Sequence, residues 1–159
     1  MRRVLISIKP QFTDMIFRSN KTVELRKKIP ALNPGDELLV YASSPMMAII
    51  GAVEVVDVVQ EAPQQLWRLV KTKAGVKRTF YDEYYEGSAT AFGIFLGKTR
   101  LFEHSVSLRT LRSAWPRFAP PQNYRYLHVW EGADHSMVEA SGIIPVCRGG
   151  EFGIHVPTR

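Results

Sequence analysis

The chain has a single cysteine among its 159 residues, Cys147, so no disulfide framework can form within it. Charged or polar residues interrupt every apolar run before it reaches the thickness of a bilayer, and no membrane span is predicted. The apolar run near the start ends at Ser7 and Lys9, which makes it too short for a signal peptide. These absences predict a cytoplasmic protein without a membrane partner.

The sequence is also poor in the patterns that hold metals and phosphate-containing cofactors. The four histidines, His104, His128, His135 and His155, lack the close spacing that metal ligands usually have. No glycine-rich phosphate loop is present. We therefore predict neither a metal site nor a cofactor.

Positive charge is concentrated in the first 30 residues. The whole chain has 21 Lys and Arg against 15 Asp and Glu, a net charge of +6. Residues 1–30 contain eight basic residues against Asp14 and Glu24, which also gives +6, so the remaining 129 residues are balanced. A localised positive field favours a polyanionic partner such as RNA or DNA. The alternative is a solvated basic face that only serves solubility.

The order of hydrophobic periods and chain breakers predicts a mixed fold. Short apolar or alternating runs predict strands at 3–8, 22–27, 37–42, 47–59 and 90–102. Helical spacing predicts helices at 10–18, 63–73, 77–85 and a short one around 108–112, and Gly51 is expected at a bulge or a close approach. Two strands follow each other directly within 35–59, which excludes strict strand–helix alternation. The predicted fold class is α+β, a small mixed β-barrel with short helices inserted between its strands.

The predicted strand at 22–27 carries an unusual set of polar residues. Strict alternation divides the segment into two faces, with Lys21, Val23 and Leu25 on one and Thr22, Glu24 and Arg26 on the other. A carboxylate beside a guanidinium is a fixed polar pair that can present hydrogen bonds to a planar ligand. The alternative is a buried pair of Glu24 with Arg26 or Lys9 that only fixes the mouth of the barrel.

Several short motifs follow one another in a specific order. They are LISIKP at 5–10, KTVELRK at 21–27, GD at 35–36, YASSP at 41–45 and PPQNYRYL at 120–127. In this order they resemble the ASCH domain, a branch of the PUA-like superfamily, over about residues 3–127. The glycine that usually precedes Lys-Thr is replaced by Ser19-Asn20, and Asn supports a turn. We interpret 1–127 as an ASCH domain and 128–159 as a C-terminal extension of unknown role.

The resemblance implies a PUA-like pseudo-barrel with a cleft bounded by the Lys-Thr-x-Glu-x-Arg strand, and a partner that is RNA or another single-stranded nucleic acid. In this interpretation the cations meet phosphate or a base edge, and Glu24 accepts hydrogen bonds from a base or orients the cations. The predicted binding residues are Lys9, Lys21, Glu24, Arg26, Tyr41, Ser43, Ser44, Gln122, Tyr124 and Arg125.

The sequence leaves open whether the aromatic members of this set bind or pack. Tyr41, at a predicted strand end, either stacks on an unpaired base or belongs to the core. The segment 120–127 is predicted to be a polar and aromatic corner. It either combines stacking with edge readout or is locked by its paired prolines for packing alone.

The resemblance also implies an enzymatic alternative. A small group of bacterial ASCH proteins hydrolyses N4-acetylcytidine with a lysine and a threonine on the equivalent strand and a downstream glutamate, and Lys21 and Thr22 match that pattern. The threonine that acts as nucleophile there is Glu24 here, and a carboxylate does not replace an activated hydroxyl in that role. If the protein is a hydrolase of a modified nucleoside or a ribonuclease, the predicted catalytic residues are Lys21, Thr22 and Glu24.

Overall fold

One six-stranded sheet organises residues 1–127, the part of the chain that the computed structural model describes. The strands are β1 (Arg3–Ile8), β2 (Val23–Arg26), β3 (Glu37–Ala42), β4 (Ala48–Glu61), β5 (Ala91–Ser107) and β6 (Tyr124–Tyr126). The helices are α1 (Pro10–Phe17), α2 (Pro63–Val70), α3 (Arg78–Tyr85) and α4 (Leu108–Ala114).

The strand order across the sheet is β2-β5-β4-β3-β1-β6. β1 and β3 are parallel, and every other neighbouring pair is antiparallel. The sheet curls into a half-barrel, so that β2 at one edge approaches β1 near the other edge. The predicted α+β class and the mixed barrel-like sheet are thereby confirmed.

Side-chain alternation along β1 distributes residues between two apolar clusters on opposite faces of the sheet. Val4, Ile6 and Ile8 belong to the cluster on the concave face, and Leu5 belongs to a second cluster that also contains Leu111 of α4. A third cluster joins β2 to the helices α2 and α3, with Val23, Leu25, Leu66, Val70, Tyr81 and Tyr85 among its members. α2 and α3 therefore cover one face of β2, and they leave its other face to the concave side of the sheet.

The long antiparallel pair of β4 and β5 has an irregularity at Gly51, as predicted. The pairing register shifts between Ile49 and Gly51, which is the signature of a bulge. A Cβ at Gly51 would lie 2.6 Å from the carbonyl oxygen of Arg100 and 2.6 Å from the Phe17 ring. Only glycine at this position lets helix α1 and strand β5 approach β4 so closely.

The structure departs from the predicted elements in three places. α2 ends at Val70, three residues before its predicted end at 73. β5 extends to Ser107, five residues beyond its predicted end. Within the predicted corner at 120–127, Tyr124–Tyr126 forms an edge strand, β6, on β1. The predicted C-terminal extension lies outside the described residues, and the domain division stays a prediction.

Candidate nucleic-acid interface

Three charged side chains from β2 and the residues before it form one cluster. The Glu24 carboxylate accepts a hydrogen bond of 3.1 Å from Nε of Arg26, and its other oxygen lies 3.5 Å from Nζ of Lys21. Glu24 is 6% exposed, and the Arg26 side chain is 11% exposed. The sequence leaves open an exposed cleft edge or a buried pair of Glu24 with Arg26 or Lys9, and the structure buries the carboxylate between Arg26 and Lys21.

Lys21 lies on the side of the segment opposite to the predicted one. Strict alternation separates it from Glu24, but β2 begins only at Val23, so the period of two does not extend back to Lys21. Its Nζ donates a hydrogen bond of 2.6 Å to the carbonyl oxygen of Ala74, after α2. Burial lowers the pKa of Lys21 below its usual 10.5, and the nearby Glu24 opposes that shift.

Arg26 links β2, at one edge of the curled sheet, to β1, near the other edge. Its Nη2 donates a hydrogen bond of 2.7 Å to the carbonyl oxygen of Ser7, at the carboxyl end of β1. Because β2 is one edge strand and β1 is second from the other edge, this hydrogen bond spans the opening of the half-barrel. The guanidinium therefore serves both Glu24 and the backbone of β1.

Ser7 and its neighbour Ile8 form hydrogen bonds with the two predicted binding segments that contain Gln122 and Ser43. The Ser7 hydroxyl donates to the carbonyl oxygen of Pro121 at 2.6 Å, and the Ser7 amide donates to the carbonyl oxygen of Asn123 at 3.1 Å. The carbonyl oxygen of Ile8 accepts a hydrogen bond of 2.9 Å from the amide of Ser43. Ser7 lies within the Leu-Ile-Ser-Ile-Lys-Pro motif, but its hydroxyl carries no signal in the sequence because serine is common on strands.

Most of the basic residues near the N-terminus have acidic partners. Arg2 pairs with Asp36, Arg3 with Glu37, Arg18 with Asp14, and both Lys21 and Arg26 with Glu24. The remaining three, Lys9, Lys27 and Lys28, are exposed and form no ion pair within residues 1–127. We call these three residues the lysine patch.

Tyr41 belongs to the core, one of the two alternatives that the sequence left open. Its side chain is 2% exposed and packs in the cluster that contains Leu5 and Leu39. Burial raises the pKa of the Tyr41 hydroxyl. Ser43 is half-buried and Ser44 exposed, both just beyond the end of β3. The two serines lie beside the end of β1, but the Tyr41 ring is not accessible to a base.

The predicted residues of β6 divide between the two faces of the sheet. Tyr124 is half-buried against the concave cluster, whereas the Arg125 guanidinium lies 5.6 Å from the centroid of the Phe118 ring, in the other cluster. Gln122 is exposed and precedes the strand. Because β6 runs antiparallel to β1, Gln122 lies at the carboxyl end of β1. Of this group, Gln122 lies nearest in register to Lys9, which directly follows β1.

Thr22, one of the predicted catalytic residues of the enzymatic alternative, is exposed. Its backbone amide donates to the carbonyl oxygen of Lys73, and its own carbonyl oxygen accepts from the amide of Leu96, both at 2.9 Å. The Lys21 amine is buried and directed toward Ala74 and Glu24. The exposed hydroxyl and the buried amine therefore lie in different surroundings.

Aromatic side chains outside the predicted site residues cover the charged cluster. Nζ of Lys21 lies 5.3 Å from the centroid of the Phe12 ring, and Phe12 contacts Phe80 of α3 edge to face at 5.7 Å. Tyr84, one turn after Phe80, lies near Arg26 and Glu24, and burial raises the pKa of its hydroxyl. The spacing of 80 and 84 on a predicted helix was the available signal for this pair.

The described residues contain no group of three or more His, Cys, Asp or Glu side chains that could hold a metal ion. Cys147 and the three histidines at 128, 135 and 155 lie outside them. Within residues 1–127, no helix is long and apolar enough to cross a membrane.

Comparison with known proteins identifies relatives of this domain. A ribonuclease described as ASCH domain-containing, from Zymomonas mobilis, is 29% identical over 126 residues, which cover 79% of this chain and 84% of that protein. The crystal structure of ASCH from Zymomonas mobilis matches with a TM-score of 0.75 and 28% identity, over 80% of this chain and 88% of the other.

A more distant relative is a ribosomal protein. The large ribosomal subunit protein uL22 of Ureaplasma parvum is 23% identical over 124 residues, which cover 78% of this chain but only 39% of that protein. The profile of the ASCH domain family matches residues 6–101, well over half of the sequence. The chain therefore belongs to the ASCH domain family.

Proposed function

We propose that the protein binds single-stranded RNA at the surface formed by the carboxyl ends of β1 and β2. The observation that carries this proposal is the lysine patch, three exposed cations without an acidic partner in residues 1–127. Lys9 follows Ser7 by two residues, and Lys27 directly follows Arg26, so the hydrogen bond from Arg26 to Ser7 brings their segments together. Exposed lysines on one surface attract the phosphates of a nucleic acid.

Neutral polar groups extend the proposed surface beyond the lysines. Ser43 is held beside Ile8 by a backbone hydrogen bond, and Gln122 lies next to the same strand end. Hydroxyl and amide groups in this position are suited to phosphate or sugar oxygens. Glu24 has both carboxylate oxygens engaged by cations, so we assign it the role of positioning Arg26 and Lys21 rather than of reading a base.

The relatives support RNA as the nucleic acid. The Zymomonas mobilis relative, which matches over most of both chains, is named a ribonuclease. A ribonuclease must bind RNA before it cleaves, so a shared binding surface is the minimum that the two proteins would have in common.

The first test removes single lysines. We expect Lys27→Ala and Lys28→Ala each to weaken binding of a labelled single-stranded oligoribonucleotide, because each variant leaves one phosphate without its cation. The slope of log affinity against log salt concentration should become shallower by about 0.7 for each phosphate that is no longer neutralised. Filter binding over a series of KCl concentrations measures both quantities.

Lys98→Ala is the matched control, since it also removes one exposed positive charge. Lys98 lies six residues along β5 from Phe92, the partner of Arg26, which is about 20 Å along an extended strand. Affinity that is insensitive to salt, or equal losses in all three variants, would reject a localised site.

Ribonuclease activity is a second candidate, favoured by the Zymomonas mobilis relative that is named a ribonuclease. Lys21 is buried and its amine is held by Ala74 and Glu24, so we assign it the role of positioning Glu24 rather than of touching the RNA. The same incubations reveal the length of the RNA after binding, with free N4-acetylcytidine as a parallel substrate. Cleavage that Lys21→Met abolishes while binding persists would support this role, whereas cleavage that survives the substitution would reject it.

A further inference from the structure

Helix α3 presents two stacked aromatic rings beside the lysine patch. Phe80 and Tyr84 are four residues apart, so they share one face of the helix. Their rings are nearly parallel, with an interplanar angle of 7° and centroids 6.3 Å apart. Phe80 is 40% exposed, although it is a large apolar side chain.

The other aromatic residues of α3 serve the core. Tyr81 and Tyr85 are buried in the cluster between the helices and β2, and the Tyr81 hydroxyl donates to the carbonyl oxygen of Pro63 at 2.7 Å. The helix therefore already has an apolar face that attaches it to the sheet. Phe80 also contacts Phe12 of α1 edge to face, and 40% of its side chain stays accessible beyond that contact.

The surroundings of the two rings are cationic. Nζ of Lys27, a member of the lysine patch, lies 5.3 Å from the centroid of the Tyr84 ring. Lys77, exposed at the N-cap of α3, precedes Phe80 by three residues. An aromatic surface flanked by exposed lysines is complementary to a nucleotide, whose base stacks while its phosphate pairs with a cation.

We infer that Phe80 and Tyr84 form a stacking platform for one unpaired base of the bound RNA, with Lys27 on the adjacent phosphate. This inference rests on the proposed RNA binding and adds the requirement that the base be unstacked from its own strand. A duplex keeps its bases stacked inside, so it cannot use the platform.

The acidic residues of α3 strengthen the preference for a single strand. Glu83 and Glu86 are exposed, and Asp82 pairs with Arg78 of the same helix. A duplex has a second phosphate backbone, and these carboxylates would repel it where it crosses α3.

The test compares Phe80→Ala with the wild-type protein on two probes. The first is a single-stranded oligoribonucleotide containing 2-aminopurine, whose emission is quenched by stacking, and the second is the same strand with an abasic site at that position. We expect Phe80→Ala to lower affinity for the first probe by about 5-fold to 150-fold, the range typical for removal of one stacking partner. The quenching should disappear, and affinity for the abasic strand should stay unchanged.

Two further variants separate stacking from loss of apolar area or of folding. Phe80→Leu keeps an apolar side chain without a π face and should lose the quenching as well, whereas Phe80→Trp should retain it. Leu101→Ala is the matched control, because Leu101 is an exposed apolar side chain, 63% accessible, on β5. It should change neither probe.

Each remaining outcome overturns a stated part of the proposal. Salt-dependent binding that requires Lys27 but is unaffected by Phe80→Ala would remove the platform and leave RNA binding intact. Equal losses for the base-containing and abasic strands would also reject stacking. Binding of a poly-glutamate peptide with the same dependence on Phe80 would reject a nucleobase as the occupant, and absence of RNA binding in every variant would reject both proposals.

Discussion

Lys21 shows how far the surroundings of one side chain can depart from a strand pattern. A lysine in a hydrophilic motif, four positions after a helix, is expected to be solvated. Here it is 3% exposed, because its ammonium group is satisfied by a backbone carbonyl, a carboxylate and the face of an aromatic ring. Burial costs the charged form of such a lysine more free energy than the neutral form, so the cost of desolvation depends on protonation.

That cost predicts a pH dependence of stability. With a folded-state pKa below 10.5, Lys21 is charged in both states at low pH and neutral in both above 10.5. Between the two pKa values the unfolded chain binds more protons, so the free energy of unfolding rises with pH in this window. We expect the difference between wild type and Lys21→Met to move in favour of the wild type as pH approaches 10.5. Urea denaturation at several pH values measures it.

Lys98→Met controls for loss of an exposed charge and should show no such trend. A difference between wild type and Lys21→Met that stays constant from neutral pH to 10.5 would contradict the assignment of a buried, desolvated amine.

At the level of elements, the sequence predicted those segments whose own residues determine them. β1 and β3 have the predicted bounds, because continuous apolar runs ended by polar or proline residues define a buried strand. β6 was missed, since three residues beside two prolines contain no strand signal of their own. Its conformation comes from the free edge of β1, which is information that a local pattern lacks.

Gly51 gives a test at the same level. A methyl group there would lie 2.6 Å from the carbonyl oxygen of Arg100, a backbone atom fixed by the β4–β5 pairing. We expect Gly51→Ala to lower the free energy of unfolding by about 1–3 kcal/mol, as overpacking usually does. The shift of the urea midpoint measures this loss.

Gly97→Ala is the control substitution in the same pair of strands, β4 and β5. The nearest atom to an added Cβ there is a methyl group of Val56, which is exposed and free to move outward. A smaller loss is therefore expected, and losses of equal size would mean that the close backbone approach at Gly51 is not the cause.

For the whole molecule, the sequence located the basic excess but not the part of it that remains available. The acidic partners of Arg2 and Arg3 lie more than 30 residues away, at Asp36 and Glu37, where β3 begins. Pairing of β1 with β3 brings these charges together, and only a three-dimensional arrangement reveals it. The candidate site therefore contains not all eight basic residues but the lysine patch and the charged cluster of Lys21, Glu24 and Arg26.

The same scale contains a prediction about closure of the half-barrel. Arg26 donates to Glu24 through Nε and to the carbonyl oxygen of Ser7 through Nη2, because the planar guanidinium holds these donors on separate nitrogens, whereas lysine has a single nitrogen. We expect Arg26→Lys to destabilise the fold by about 1–3 kcal/mol, because a buried carbonyl or carboxylate oxygen loses its donor. Urea denaturation gives the loss, and faster amide exchange in β2 should accompany it.

Arg18→Lys is the matched substitution on the surface. Arg18 pairs with Asp14 on exposed α1, where the same change should have little effect. If Arg26→Lys is as mild as Arg18→Lys, the hydrogen bond across the opening does not hold the two sides of the sheet together.

The pairing of β1 with β6 also affects how the chain is synthesised. Val4 finds its partner Tyr126 only after more than 120 further residues have left the ribosome. During that interval the outer edge of an apolar strand is uncovered, and such edges recruit strands from other nascent chains. A translation product that stops before residue 124 retains this unpaired edge permanently, so β6 protects β1 from aggregation.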